Sequence, residues 1–417
     1  MHRPEPRLIL PEPPESLKDM SRTLVHRMHD REQAEGFLSF ADYMEMALYE
    51  PGLGYYSAGL PKLGEHGDFI TAPELGSVFA QCLARQVAAV GDALGGPWDI
   101  LEIGAGSGRL AADLLTTLAQ LGIQPERYRI LERSADLRAE QARTLESRSV
   151  SGPGRALGGL AERVSWLDAP PDSSAGWRGV LIANEVIDAL AVERFEIAED
   201  GPRQLGVTFG QDREPSPPAW TDRPAPQALA DRMQSLQERL PRALPNGYRS
   251  EVCLTLPAWL ASVTDGLEAG LALFIDYGYP RAEYYQPARR DGTLVCQMRH
   301  RAHFDPFVWP GLQDLSAFVD FTALAEAADQ CGLEVSGYAP QSHFLIGCGL
   351  EPVLAALMAD AAGQTPGAQR ARQALSHEIK QLTLPGAMGE KFQVMGLTRG
   401  GPLPLAGFDA GSWLDRL

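Results

Sequence analysis

From Trp98 onward, short apolar runs alternate with longer stretches at helical spacing. "WDILEIG" reads as a buried strand and "GRLAADLLTTLAQLG" as an amphipathic helix. "RYRILE" is a second strand, and "SADLRAEQARTLES" a helix that Ser134 can cap. "RVSWLD" and "GVLIANEV" supply the third and fourth strands. This alternation predicts an α/β fold: a mostly parallel, doubly wound sheet with helices on both faces.

The rhythm breaks between Val192 and Leu271. "VERFEIAED" and "PRQLGVTFG" read as a hairpin, "REPSPPAWTDRPAP" as a Pro-rich loop and "QALADRMQSLQERL" as a helix. A strand, "YRSEVCLTL", and a helix, "PAWLASVTDGL", follow before "GLALFIDYG" resumes the buried-strand pattern. An α+β insertion between core strands 4 and 5 is therefore expected. Upstream, Leu17 to Ala34 reads as a helix, "FLSFADYMEMALYEPGLGYYSAG" as a short helix running into a Gly/Tyr loop, and a further helix begins near Pro73 or Glu74. Downstream, Tyr277 to Gln313 reads as a long polar loop, Phe321 to Cys331 as a helix, "LEVSGYA" as a strand, Glu351 to Leu382 as mostly helical, and "EKFQVMGLTR" as a closing strand. The expected division is a disordered tail (1–16), an N-terminal helical extension (17–96), a first half of the core (97–191), the insertion (192–270) and a second half with a helical substrate region (271–417).

Composition narrows the function classes. Fifty-four acidic against 37 basic residues give a net charge of −17 over 417 residues, which argues against a nucleic-acid binder or an anionic-membrane binder. An Arg-bearing protein partner stays open, as does the oligomeric state, homodimer included. The five cysteines, Cys82, Cys253, Cys296, Cys331 and Cys348, form no CxxC pair, as in a reducing compartment. No apolar run approaches the ~20 residues of a membrane span, so no stable membrane insertion is expected. The Pro-rich opening lacks the marks of a secretory or transit peptide; the expectation is a cytoplasmic, bacterial protein.

Candidate chemistry starts at "ILEIGAGSGRL". A dinucleotide loop reads GxGxxG, whereas Gly104, Gly106 and Gly108 are spaced GxGxG and Arg109 stands where the last glycine would be. Glu102 precedes the first glycine by two residues. This pattern resembles motif I of class I S-adenosylmethionine (SAM) methyltransferases, so the expected fold is the class I, Rossmann-like doubly wound sheet. SAM carries no pyrophosphate; glycines let backbone approach it, and acids suit its positive charges. A glycine-rich turn with no ligand is the plainer alternative. Ligands in open α/β sheets sit beyond the carboxyl ends of the strands. There, Glu132 is placed to hold ribose hydroxyls and Asp168 to accept from an adenine amino group. In "ANEVIDALAVERF", Asn184, Glu185 and Asp188 fall where a methyl acceptor would stand. Glu185 and Asp188, three apart at an expected helix start, could grip a guanidinium by forked hydrogen bonds, with Asn184 orienting it. Otherwise Asp188 merely caps the helix and Glu185 is a solvated acid. His300 and His303 have the i, i+3 spacing of a metal pair but no third ligand, so no metal site is expected.

Several segments together resemble the MidA-type SAM-dependent methyltransferases: "GYYSAG…GDFITAPELGSVFA", "ILEIGAGSGRLAADLL", "ANEVIDALAVERF", "FIDYGYPRAEYYQPARRDGTLVC", "HRAHFDPFVWPGLQDLSAFVDFTALA" and "GEKFQVMGLTRG". They run from about residue 36 to residue 401. Mitochondrial members of that family act in respiratory complex I assembly and methylate an arginine of a complex I subunit. The resemblance implies a SAM-dependent protein arginine methyltransferase with a protein partner. It makes "GDFITAPE", with Asp68, Phe69, Thr71 and Glu74, a lid on the cofactor. Position 191 is Ala where the family usually has Pro, which would fix the turn after the site. The rival readings are a small-molecule methyltransferase and a SAM-binding assembly factor without turnover.

Overall fold

The computed structural model describes residues 10–59, 71–150, 161–212 and 214–417. The chain forms two compact units. One comprises Thr71–Asp188, Leu256–Arg281 and Val319–Leu417; the other comprises Met1–Ile70, Ala189–Thr255 and Ala282–Phe318.

The first unit holds the main sheet. Its strands are β1 (Asp99–Ile103), β2 (Arg127–Leu131), β3 (Val164–Leu167), β4 (Trp177–Asn184), β5 (Leu267–Tyr279), β6 (Glu334–Pro340) and β7 (Phe392–Arg399). They lie in the order β6-β7-β5-β4-β1-β2-β3, and a two-residue eighth strand, Val319–Asp320, pairs parallel with the end of β5. β1 to β5 run parallel, and β7 is antiparallel to both its neighbours. The runs "VLIA" and "LALFI" are apolar on both faces because both faces are covered by helices. On one face α1 (Val78–Leu94) and α2 (Arg109–Gln120) share a core with Ile100, Val180, Ile182, Leu271 and Leu273. On the other, α4 (Leu256–Thr264) packs with α5 (Phe321–Gln330), and Trp259 meets Phe274 edge-on at 6.0 Å. The remaining helix near the site, α3 (Ala135–Val150), starts where Ser134 accepts the Leu137 N–H, as its sequence suggests. The strand order reverses between β1 and β4, which places the ligand crevice at their carboxyl ends.

One register row crosses the sheet: Arg127, Asp99, Gly179, Gly270 and Arg399. Gly179 and Gly270 have φ of 150° and 149°, a region L side chains rarely enter. A Cβ on Gly179 would lie 1.8 Å from the Asp99 carbonyl oxygen, and one on Gly270 would lie 1.9 Å from that of Gly179.

The second unit has its own apolar core, which includes Leu24, Phe40, Tyr43, Val192, Val207, Cys296 and Leu315. The expected hairpin is present as Glu193–Ala198 and Gly201–Thr208, paired antiparallel. It belongs to a sheet with Leu38–Ser39, Arg249–Val252 and Ala219–Pro224. This last strand lies inside the stretch expected to be a Pro-rich loop; as an edge strand it tolerates proline.

Four expectations need correction. The tail does not extend to residue 16, because a helix already spans Glu15–Glu35; residues 1–9 lie outside the described residues. Helix α1 does not begin near Pro73. Ala72–Leu75 is a single turn, and α1 restarts at Val78, whose N–H donates to the buried Glu378 carboxylate at 2.7 Å. The stretch 277–313 is no continuous loop. β5 runs to Tyr279, and Val295–Met298, Arg301–His303 and Asp314–Ser316 form a small antiparallel sheet. Arg299 and His300 take φ of 49° and 60° at its tight turn, the paired positive values a two-residue hairpin requires. The division of the chain also differs: α1 belongs to the sheet unit, and residues 282–318 belong to the extension-and-insertion unit.

Replacing Gly179 by Ala should destabilise the sheet unit by about 3 kcal/mol or more, since backbone must move to admit a methyl group. Chemical denaturation measures this; a loss below about 1 kcal/mol would show that β1 and β4 separate freely.

Candidate functional site

β1 ends at Ile103, and the chain turns through Gly104, Gly106 and Gly108 with φ of 65°, 53° and 80°. All three are left-handed, which only glycine adopts without strain. Gly108 precedes α2, and its bare Cα lets the backbone of α3 approach: a Cβ there would stand 2.9 Å from Gln141 Cα. Gln141, fully buried, donates to the Gly106 carbonyl at 3.0 Å and to Glu132 Oε2 at 3.3 Å, and accepts from Trp166 Nε1 at 2.8 Å. One amide thus ties the glycine loop, the acid after β2 and β3 together.

Glu132 is half-buried; its Oε1 accepts the Ser134 N–H at 2.9 Å. Asp168 stands apart from it. Its side chain is 88% exposed and paired at 2.5 Å with Arg138, which also donates to the carbonyls of Glu132 and Leu167. The expected edge of three acids is therefore a gradient. Glu102 is fully buried in β1 and accepts the Tyr128 hydroxyl at 2.8 Å, Glu132 lies at the surface of the cradle, and Asp168 faces solvent. Burial pushes the Glu102 carboxyl up to about 7, against the lowering effect of the Tyr128 hydrogen bond.

Arg109, the residue that breaks the dinucleotide pattern, donates to the Glu74 carbonyl at 2.8 Å, and the Ser107 hydroxyl donates to the Glu74 carboxylate. The last residue of the expected lid, Glu74, is thereby pinned on the glycine loop. Thr71 stands before this turn without a capping bond from its side chain; Asp68 and Phe69 lie outside the described residues.

The structure brings Asn184, Glu185 and Asp188 together at the end of β4, but not on a helix. Residues 185–188 form a turn. Glu185 is left-handed, φ 55°, with its N–H on the Ile275 carbonyl at 2.8 Å and Asn184 Nδ2 donating to its Oε1 at 3.1 Å. The next three N–H groups, of Val186, Ile187 and Asp188, all donate to Asp276 Oδ2, at 3.3, 3.0 and 3.2 Å. A side chain collects the donors that a helix would have left at its first turn, and no helix follows. Asp188 is buried and accepts the Tyr277 hydroxyl, whereas Glu185 is half-buried. The two acids are not an equal fork. The Oδ1 of Asn184 is a buried acceptor with no hydrogen-bond partner. A Cβ on Gly104 would lie 3.3 Å from Val186 Cγ2, so glycine loop and turn are neighbours.

His300 and His303 are not a helical pair: one sits in the hairpin turn and the other in a strand, where burial lowers its pKa. Among the described residues no group of three or more His, Cys, Asp or Glu could hold a metal ion. The residues missed from sequence are Gln141, Asp276 and Tyr277. Asp276 does not end its strand, but it stands where β5 outruns the last residue of β4, one place past the Ile275–Asn184 pair, so the strand-end rule applied to "FIDYG" would have pointed to it. Gln141 carries no sequence signal.

A family model for S-adenosyl-L-methionine-dependent methyltransferases, Methyltransf_28, matches residues 82–339. "Protein arginine methyltransferase NDUFAF7, mitochondrial" of Mus musculus is 30% identical over 413 residues, 93% of this chain and 86% of that one. Its counterpart of Danio rerio is 27% identical, covering 91% and 87%. A crystal structure of a COG1565 superfamily member from Burkholderia thailandensis bound to S-adenosyl-homocysteine superposes with a TM-score of 0.86, at 38% identity over 98% of this chain and all of that one. A native structure of a protein of that superfamily from the same organism gives 0.83. The chain belongs to this family: it is a SAM-dependent methyltransferase of the class I fold. The mitochondrial relatives lend no support to the cytoplasmic expectation.

The residues present fit the cofactor. Bare left-handed glycines form the cradle, and a half-buried carboxylate stands at the β2 end for a ribose.

Replacing Gln141 by Leu should weaken SAM binding about tenfold, because Glu132 and the loop lose their common tie; tenfold is ~1.4 kcal/mol. Calorimetric titration checks it, and an unchanged affinity would separate Gln141 from the cradle.

Glu102 supplies a pH test. Its folded value lies above the ordinary 4.5, so the folded state keeps the proton longer, and stability falls as pH rises from about 4.5 to about 7 and then levels off. Replacing Glu102 by Gln removes that loss. Relative to wild type, the variant should gain on the order of 3 kcal/mol between pH 5 and pH 8 in denaturant titrations. Parallel curves over that range would contradict it.

Proposed function

We propose that the chain transfers the methyl group of SAM to a guanidinium nitrogen of an arginine in a protein partner, in the respiratory class that the family resemblance implies. The observation that carries this reading is the seating of the Glu185–Asp188 turn directly against Gly104 of the cofactor loop. The relatives named protein arginine methyltransferase support the acceptor class.

SAM supplies, when bound, an electrophilic methyl on a sulfonium. Glu132 is the group to hold its ribose, and the glycine amides its amino-acid end. On the acceptor side, the Glu185 carboxylate pairs with the guanidinium and Asn184 Oδ1 accepts one of its N–H groups. Transfer to the guanidinium would form an N–C bond as the methyl–sulfur bond breaks and the neutral thioether leaves; the guanidinium gives up one proton, and Glu185 is the half-buried carboxylate able to receive it. Asp188, buried under Tyr277, steadies the turn rather than meeting the acceptor.

The test is methyl-labelled SAM incubated with the protein and a cell extract, beside a Glu185→Gln variant. Label should enter arginine of a protein band with wild type and fall at least a hundredfold, roughly 3 kcal/mol, in the variant, with SAM affinity unchanged. Label appearing in the small-molecule fraction would replace this reading by small-molecule methylation. SAM binding with no transfer anywhere would leave an assembly factor.

A further inference from the structure

The parallel ladder between β4 and β5 pairs Asn184 with Ile275 and continues one bond further, Glu185 N–H to the Ile275 carbonyl. There the backbone of β4 leaves the sheet and Asp276 takes over. Its side chain is 1% exposed. Oδ2 receives the N–H groups of Val186, Ile187 and Asp188, and Oδ1 that of its own neighbour Tyr277 at 2.9 Å. Tyr277 in turn donates its hydroxyl to Asp188, while its ring meets Phe392 edge-on at 5.4 Å. Two consecutive residues of β5 thus hold the turn, one by its backbone and one by its last carboxylate.

A purely structural turn has cheaper solutions. Burial and the nearby Asp188 and Glu185 all disfavour the charged form of Asp276, and only its N–H donors favour it. Three acids gathered at one turn repel one another unless one keeps its proton or a cation arrives, and such an arrangement is typical of sites that bind one. The left-handed backbone of Glu185 points the same way, since strain of this kind persists where surroundings over-determine it.

We propose that Asp276 is the positioning residue of the acceptor side: its carboxylate holds the Glu185–Asp188 turn against the glycine loop, and so governs methyl transfer without governing cofactor binding. This rests on the arginine-methylation reading above for its acceptor, and on the turn's geometry for its action.

The experiment compares wild type, Asp276→Asn, Asp276→Glu and Glu185→Gln. In Asp276→Asn, SAM should bind at full stoichiometry with Kd and apparent KM within threefold of wild type. The transfer rate per binding site, read as methyl label entering extract protein, should fall at least twentyfold. Amide hydrogen exchange at 186–188 should quicken at least tenfold, with exchange in β4 unchanged. Asp276→Glu keeps the carboxyl group but displaces its oxygens, and should show the same split if Asp276→Asn does not fold. Transfer within threefold of wild type in either folded variant overturns the proposal. So does a SAM affinity that falls in step with the rate, because Asp276 would then act on the whole cradle. Should wild type transfer no label, or Glu185→Gln transfer it normally, the acceptor reading fails while the exchange data still decide on Asp276: unchanged exchange at 186–188 refutes it.

Discussion

A strand that leaves a parallel sheet abandons its hydrogen-bonding partners, and every N–H and C=O it carries must find others or face water. In this sheet the carboxyl ends of β1, β2 and β4 meet that demand in three ways. After β1 the chain turns on left-handed glycines, and the Gly104 N–H reaches the Leu131 carbonyl at 3.1 Å. After β2 the Glu132 N–H reaches Leu167 while its carboxylate takes the N–H of Ser134. After β4 the Glu185 N–H stays on the Ile275 carbonyl, and the next three donors fall on the Asp276 side chain. Beyond the β2 and β4 ends, acids take the donors that the carbonyls do not reach, and so they line the crevice.

That explains how a chain of net charge −17 can concentrate further acids at one edge of its sheet. Each is held by donors, which for Glu102 and Asp276 oppose the cost of burial without cancelling it: Tyr128 for Glu102, Gln141 and Ser134 for Glu132, backbone N–H groups for Asp276 and Tyr277 for Asp188. SAM carries a sulfonium and an ammonium, and an arginine acceptor would add a guanidinium. A site that accumulates held carboxylates is poised for such cations.

The sheet could be read from sequence because β1, β4 and β5 are buried on both faces and show as unbroken apolar runs, with Gly104 and Arg109 marking where β1 ends. The small sheet at 295–316 could not, because its strands are three or four residues long and sit among Arg, His and Pro. For the site, Glu132 and the Asn184–Glu185 pair were visible as strand-end residues. The helix expected after them was wrong for a reason no local pattern carries: the donors of Val186 to Asp188 are satisfied by a residue 88 or more positions away. Gln141 was invisible likewise, since a helix glutamine gains its meaning only from Gly106, Glu132 and Trp166 around it.

The correction to the turn also changes the chemistry that the acids support. On a helix, Glu185 and Asp188 would be interchangeable prongs of one fork. In the turn they are separated by burial: Asp188 is enclosed and committed to Tyr277, while Glu185 retains partial exposure. A guanidinium approaching that edge would meet one carboxylate and the Asn184 carbonyl oxygen rather than two carboxylates. One charged and one neutral acceptor suit a group that must shed a proton during transfer, since a second unscreened carboxylate would hold the cation in its protonated form. On this reading the burial of Asp188 is part of the reactivity, and Tyr277 and Asp276 are what keep it there.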